Sequence, residues 1–284
     1  MRRGLFKKIF GQTYIWLVML LMYLPILVLI AYSFSNGLIG GKFNFTWDLY
    51  IKLFKNKEIM IALGNTVLIA LISAVVSTVL GTMGAIGAFY SKAKMRKTID
   101  MATQIPVVNA EIVVAFSLTV MFVFIGEKIF HQNAFSFWTL LIGHVSLSLP
   151  FVYINVKPKL QQMDPSLYEA AIDLGASPRL ALRKVIIPEL LPGVLSGFLL
   201  AITLSLDDFI ITRFTSGPGL LSGTEKIVTL STYIQDRIRR KGVPNEMRAL
   251  TTIIFALVVI AVIFVTIYRV KQSKHVKVRK GREA

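Results

Sequence analysis

The chain has 284 residues, of which 55% are hydrophobic, and a formal net charge of +17. This composition excludes an ordinary soluble domain and indicates a membrane protein with several spanning segments. Since the chain has no cysteine, disulfides, thiol catalysis and thiolate metal sites are excluded as well. In a soluble protein the positive charge would favour nucleic acid, but here it belongs to residues that flank apolar segments, so we expect membrane lipid and no nucleic acid as a partner.

Six apolar segments are long enough to cross a bilayer, because about 20 helical residues span the hydrocarbon core. They are residues 14–33, 63–90, 107–125, 134–156, 191–214 and 250–268. The sequence therefore predicts an all-α membrane protein with six transmembrane helices, built as a single domain over residues 1–284.

The basic residues indicate how the segments are oriented. Most of the 32 Lys and Arg residues lie on the side of the N-terminus, including a predicted turn at residues 91–97 and the tail at residues 269–284. The positive-inside rule then predicts that both termini are cytoplasmic. The first apolar segment is longer than a signal-peptide core and is not followed by a small-residue cleavage site, so we expect it to be an uncleaved anchor.

Small residues occupy every fourth position of the fifth apolar segment. They are Gly193, Gly197, Ala201 and Ser205. Small residues at this spacing let helices approach closely in lipid. The pattern predicts that this face packs tightly against another helix.

Two adjacent carboxylates, Asp207 and Asp208, interrupt the same segment. Ionised groups there are costly unless they face water, a cation or a polar partner. Since adjacent helical residues point about 100° apart, one carboxylate can face a substrate pathway while the other pairs with Arg213 or with a neighbouring helix. We predict that Asp207 lines the pathway and that Asp208 is the paired residue.

Two further polar residues lie in apolar surroundings. Glu111 begins the third segment, where the helix dipole favours a carboxylate, so we expect it to act as a cap. His144 in the fourth segment has no second histidine at ligand spacing; we expect it to bond to a neighbouring helix and predict no metal site. The chain also lacks a nucleotide-binding glycine loop and a nucleophile motif, so no catalytic residues are predicted.

A polar segment, residues 157–190, separates the fourth and fifth apolar segments. Asp164 followed by proline predicts the start of a short helix, and Gly175 is suited to end it in a left-handed conformation. Ser177 followed by Pro178 predicts a second helix, which we expect to end at Pro188 because proline cannot continue an interior hydrogen-bond ladder. We refer to residues 157–190 as the docking segment.

The docking segment contains Glu-Ala-Ala, then three residues, a glycine, nine residues and the close Val185-Ile186-Ile187-Pro188. It resembles the cytoplasmic signature loop of permease subunits in binding-protein-dependent ABC importers. The resemblance implies a type I importer permease fold, with ATP and Mg²⁺ bound by a separate ATPase subunit and no cofactor in this chain. It also implies that the ATPase docks on Glu169, Ala170, Ala171, Asp173, Gly175, Ile187 and Pro188.

Over nearly its whole length the chain is similar to spermidine/putrescine importer permeases, including Tyr32-Ser33-Phe34, Ser205 to Phe209 and Gly242-Val243-Pro244. The resemblance implies import of polyamines across the cell (inner) membrane. The implied partners are a second homologous permease, an ATPase dimer and an extracytoplasmic polyamine-binding protein.

Three alternatives remain open at this point. Related permeases for iron, sulfate or other solutes share the docking segment, and only the acidic pair favours a cation. An ion-coupled secondary carrier would use Asp207, Asp208 or His144 to bind the driving ion, but the sequence indicates neither inverted repeats nor a broken midplane helix. A membrane scaffold without transport activity is the third class.

Overall fold

A computed structural model describes residues 2–37, 43–131, 135–164, 166–217, 226–241, 244–260 and 263, and these residues are almost entirely helical or in short connections. The helices are α1 (Arg2–Ser33), α2 (Asp48–Lys55), α3 (Lys57–Tyr90), α4 (Ala93–Val108), α5 (Glu111–Ile125), α6 (Phe137–Gln162), α7 (Ser166–Asp173), α8 (Pro178–Ala181), α9 (Ile187–Asp207), α10 (Ile210–Thr215) and α11 (Leu230–Lys241). Two π-helical turns, Gly126–Phe130 and Leu182–Ile186, follow α5 and α8. Residues 246–260 are also helical. The predicted all-α class is confirmed.

Within the described residues, five helical segments are long and apolar enough to cross a membrane: Gln12–Ser33, Lys57–Tyr90, Glu111–Ile129, Phe137–Gln162 and Pro178–Asp207. They correspond to the first five predicted segments. The sixth, residues 250–268, is helical as far as residue 260, and most of its remainder lies outside the described residues, as does the basic tail.

The chain divides into two compact units, residues 1–57 with 237–284 and residues 58–236. In the first unit, the apolar window of α1 buries none of its residues, so its hydrophobic side chains are available to lipid or to another subunit. A cluster of aromatic rings follows α1: Phe34 packs against Phe45, Trp47 and Tyr50.

Helix α6 and helix α9 form the centre of the second unit. All four small residues of the fifth apolar segment are buried on α9. A Cβ atom added at Gly197 would lie 3.1 Å from the Cα of Val152 on α6. The prediction that this face packs tightly against another helix is therefore confirmed, and the partner is α6.

The prediction that a helix ends at Pro188 is wrong. From Pro178 to Asp207 the chain stays helical through a π-helical turn, in which the Ile187 N–H bonds to the carbonyl oxygen of Leu182, five residues back. Pro188 has no N–H to donate, and it follows this π-helical turn by two residues, where the hydrogen-bond spacing changes from five residues to four. The helix therefore passes the proline by a local rearrangement of its hydrogen bonds instead of ending there. The second helix of the docking segment is thus continuous with α9.

The predicted turn at residues 91–97 is also wrong, because α4 begins at Ala93. Its basic residues lie on a helix, which ends at Val108. Asn109 is extended, with φ −74° and ψ 148°, and α5 begins two residues later at Glu111. The third apolar segment is therefore divided between two helices.

Candidate functional site

The fifth apolar segment is broken at its acidic pair. Helix α9 ends at Asp207, Asp208 has a non-helical ψ of 126°, and α10 begins at Ile210. The Asp208 carboxylate accepts hydrogen bonds from the backbone N–H groups of Ile211 (3.0 Å) and Thr212 (2.8 Å). Aspartate is a favoured cap for exposed helix N–H groups, so Asp208 ends one helix and stabilises the start of the next. The sequence pattern did not predict this break.

His144 on α6 contacts the chain on both sides of the break. Its Nδ1 lies 2.7 Å from the Ser205 hydroxyl of α9, and its Nε2 lies 3.0 Å from the Thr212 hydroxyl of α10. Nε2 is also 3.4 Å from Oδ2 of Asp208. The expected bond between His144 and a neighbouring helix is confirmed, and it reaches two helices.

Asp208 is buried, whereas Asp207 is exposed. Arg213 does not pair with Asp208. Its guanidinium donates instead to Asp236 of α11 at 3.2 Å, and both side chains are more than a third exposed. Of the two alternatives for Asp208, the neighbouring helix is therefore the observed one, because α10 turns Arg213 outward and His144 occupies the space beside the carboxylate.

Glu111 joins the acidic pair, whereas the sequence favoured a capping role over a transport role; it lies in the first turn of α5, but no side chain makes a capping hydrogen bond there. It begins α5, and its carboxyl group lies beside that of Asp208 and within electrostatic reach of Asp207. The break between α4 and α5 thus meets the break between α9 and α10. The sequence contains a usable signal, since both breaks carry acidic residues inside apolar segments.

A second polar cluster lies where α4 meets α6. The Asp100 carboxylate accepts hydrogen bonds from the Tyr153 hydroxyl (2.6 Å) and the Lys157 ammonium (2.7 Å). Burial raises the pKa of Asp100, but these two donors, with Lys157 first, outweigh burial and hold the pKa below its usual value. No sequence pattern predicts this contact, because its partners are more than 50 residues apart in the chain.

In the docking segment, the predicted caps are present. Asp164 Oδ1 accepts the Ser166 N–H at 2.9 Å, and this hydrogen bond lowers the pKa of Asp164. Pro165 lies outside the described residues. At the next helix start, Ser177 Oγ accepts the Leu180 N–H at 3.4 Å.

Gly175 has a φ of +84°, as predicted for the residue that ends α7. The Gly175 N–H bonds to the Ile172 carbonyl oxygen (2.8 Å), and the Ala176 N–H bonds to that of Ala171 (3.0 Å). This pair of bonds is the Schellman arrangement, in which a glycine closes the helix. The corner between α7 and α8 is therefore fixed by the backbone.

Helix α7 buries none of its residues. Glu169, Ala170 and Asp173 are exposed, and Leu174, directly after the helix, is 89% exposed. Neither Glu169 nor Asp173 has an ion-pair partner in the part of the chain that the structure describes. Gly175, Ile187 and Pro188 are exposed too, and Ala171 is half-buried, so six of the seven residues assigned to docking form accessible surface.

A cavity of about 270 Å³ lies behind this surface, lined by Ile86, Tyr90, Tyr168, Pro178, Arg179 and Leu182. The rings of Tyr90 and Tyr168 are 5.6 Å apart, which attaches α7 to the end of α3. Among the described residues, no three His, Asp or Glu side chains are grouped so that they could hold a metal ion.

The family described as binding-protein-dependent transport system inner membrane component matches residues 77–274 of the chain. The chain is 32% identical over 247 residues to the spermidine/putrescine transport system permease protein PotC of Haemophilus influenzae, which covers 87% of this chain and 91% of that protein. It is 31% identical over 261 residues to the putrescine transport system permease protein PotI of Escherichia coli, which covers 91% and 89%. A solved bacterial ABC transporter involved in import of the acidic polysaccharide alginate has a similar fold, with a TM-score of 0.69, 18% identity and 93% of each chain covered.

Proposed function

We propose that this chain, which belongs to the family of binding-protein-dependent transport system inner membrane components, is the permease subunit of an ATP-driven importer of polyamines. Membership follows from a match to well over half of the chain. Relatives of nearly equal length are named for transport of spermidine and putrescine, and they support the substrate. The chain is not an enzyme; ATP is hydrolysed by a separate subunit, which also binds the Mg²⁺.

Asp207 is the residue on which the substrate proposal rests. It is an exposed carboxylate at the end of α9, with Glu111 nearby and with Asp208 held by other partners. Helix α9 rises about 1.5 Å per residue from Ile187, which puts Asp207 in the outer half of the bilayer if the docking segment is cytoplasmic. A polyamine ammonium group that enters from outside then meets this carboxylate early. The attraction has to remain weak and hydrated, because a transported cation must leave again.

The docking segment is proposed to contact the ATPase through Glu169, Ala170, Ala171, Asp173, Gly175, Ile187 and Pro188. All of these except the half-buried Ala171 are exposed. The exposure of Glu169 and Asp173, neither of which has an ion-pair partner among the described residues, supports a basic partner surface. Like charges four residues apart on a helix repel each other slightly. A basic groove on the ATPase would remove that repulsion.

The remaining architecture is proposed from family and composition. Six spans, cytoplasmic termini and residence in the cell (inner) membrane agree with the five apolar helices, with the helical residues 246–260 and with the basic flanks. The partners are a second homologous permease, an ATPase dimer and an extracytoplasmic polyamine-binding protein. The apolar window of α1, none of which is buried, supports contact with lipid or with another subunit.

A broken helix also favours an ion-coupled carrier, since such carriers bind ions where helices are interrupted. Vesicles that contain the chain with its co-purified subunits distinguish the two mechanisms. We expect uptake of labelled spermidine or putrescine with ATP inside and the binding protein outside, and no uptake driven by a sodium or proton gradient alone. Uptake that needs a gradient and no ATP would overturn the proposal, as would ATP-driven uptake of another solute but of no polyamine.

A further inference from the structure

Five buried polar side chains form one continuous chain of hydrogen bonds across the break. They are Ser73 on α3, Ser205 on α9, His144 on α6, Thr212 on α10 and Asp208 at the break. Ser73 donates to Ser205 (3.0 Å), Ser205 contacts His144 Nδ1 (2.7 Å), His144 Nε2 contacts Thr212 (3.0 Å), and Thr212 donates to Asp208 Oδ2 (2.7 Å). This chain of hydrogen bonds therefore links four helices, with the imidazole ring between α9 and α10.

The acceptor at the end of this chain determines the direction of every bond. The Thr212 hydroxyl donates its single proton to the Asp208 carboxylate, so toward His144 it can only accept. His144 Nε2 consequently carries a proton. A neutral imidazole carries one proton, so Nδ1 is then the acceptor and the Ser205 hydroxyl donates to it. Ser205 can accept in turn from Ser73, whose hydroxyl also lies 3.2 Å from the Ala70 carbonyl oxygen.

We propose that His144 is a positioning residue for Asp207: as the Nε2–H tautomer it fixes the angle between α9 and α10 and thereby aims the Asp207 carboxylate at the substrate pathway. Ser205 lies two residues before Asp207 and Thr212 lies five residues after it, so the imidazole holds the chain on both sides of that carboxylate. His144 is completely buried, so the role proposed for it is exerted through Asp207. The proposal rests on the proposed function, in which Asp207 faces the transported cation.

A rigid ring with a donor and an acceptor on opposite sides suits this position. The amide nitrogen of glutamine reaches the position of Nε2, whereas the shorter asparagine reaches only that of Nδ1. His144→Gln therefore retains a donor toward Thr212, while His144→Asn leaves Thr212 without it. If the bond to α10 is what aims Asp207, glutamine should rescue transport better than asparagine.

The tautomer is tested on the complex in lipid, independently of transport. The chain has three histidines, His131, His144 and His275, so His131→Gln with His275→Gln leaves His144 as the only imidazole signal of this subunit when it is ¹⁵N-histidine labelled. We expect a protonated Nε2 and an unprotonated Nδ1 in the ¹⁵N NMR spectrum. A protonated Nδ1 would overturn the proposal.

The transport test compares polyamine molecules taken up per ATP hydrolysed in reconstituted vesicles. His144→Asn should lower this ratio by roughly tenfold, as expected for one lost buried hydrogen bond, and His144→Gln should lower it less. In an Asp207→Asn background, His144→Asn should have no further effect, because a positioning residue acts through the group it positions. Equal ratios in the folded variants and the wild type, or independent losses in the double variant, would overturn the proposal.

Two controls separate the possible failures. Thr212→Ser keeps the hydroxyl and Thr212→Val removes it at similar shape, so this pair repeats the comparison if the His144 variants do not assemble. We expect the serine variant to take up more polyamine per ATP hydrolysed than the valine variant. Equal uptake per ATP in the two variants would overturn the proposal. If the wild-type vesicles take up no polyamine, the proposed function fails, while the NMR result still decides the tautomer.

Discussion

Gly175→Ala tests whether the corner of the docking segment determines ATPase binding. The left-handed φ of +84° at Gly175 costs about 1–2 kcal/mol for a residue with a Cβ atom. No heavy atom lies within 4 Å of the position that this Cβ would occupy, so no clash adds to the cost. If the loop escapes the strain by changing φ, it gives up the two Schellman bonds and reorients α7. A cost of this size lowers the population of the docking conformation by a factor of about 5–30.

The assay is the affinity of purified ATPase for the detergent-solubilised permease, together with ATP hydrolysis stimulated by the liganded binding protein. We expect Gly175→Ala to weaken binding by about 5–30-fold. Gly175→Asn is the matched control, because asparagine tolerates the left-handed region, and it should bind nearly as well as the wild type. If Gly175→Ala is folded and binds the ATPase with wild-type affinity, the geometry of this corner does not determine docking.

Three further predictions address docking, packing and pH. Glu169→Lys should insert normally but lose ATPase in co-purification, since Glu169 is exposed with no ion-pair partner among the described residues; retention of the ATPase would contradict the docking assignment. Gly197→Ala should destabilise the permease by about 1–3 kcal/mol, because the added methyl group overpacks the contact with α6. The control Gly64→Ala has open space around its Cβ and should stabilise the permease by about 0.5–1 kcal/mol. Chemical unfolding in mixed micelles measures both variants, and equal effects would refute the packing argument. The pKa of Asp100 is lower in the folded state than in the unfolded state, so its ionised carboxylate stabilises the fold fully above about pH 4, the unfolded pKa, and this stabilisation is lost as pH falls through the folded pKa. Measured against pH, the free energy of unfolding of Asp100→Asn should lack this decrease at acidic pH. A profile identical to that of the wild type would show that the ion pair contributes nothing.

Local chemistry made much of the fold predictable from the sequence. Apolar length identified the first five spanning helices, and the four-residue spacing identified the face of α9 that packs on α6. The φ of Gly175 and the caps at Asp164 and Ser177 follow from backbone preferences that act within a few residues.

The break at Asp208 depends on contacts that the sequence does not display. Hydropathy measures how apolar a segment is, but it does not show which distant groups can hydrogen-bond to the backbone where a helix is interrupted. At the break, the backbone carbonyl of Asp208 accepts a hydrogen bond from the Ser231 hydroxyl at 2.5 Å. The Asp208 carboxylate lies beside His144, which is 64 residues earlier in the chain. Pairing Asp208 with Arg213 was reasonable for a continuous helix, and it failed because the helix is not continuous.

Polyamine uptake by Asp207→Asn is the most direct test of the central claim. Reconstituted vesicles with labelled spermidine at limiting concentration should show reduced uptake, while assembly and binding-protein-stimulated ATP hydrolysis stay at the wild-type level. Asp208→Asn is the contrasting variant: it should lower the amount of folded complex, because Asp208 is buried and accepts three hydrogen bonds that hold α10 in place. Wild-type uptake by the Asp207→Asn protein at limiting substrate would contradict the assignment of Asp207 to the pathway of a transported cation.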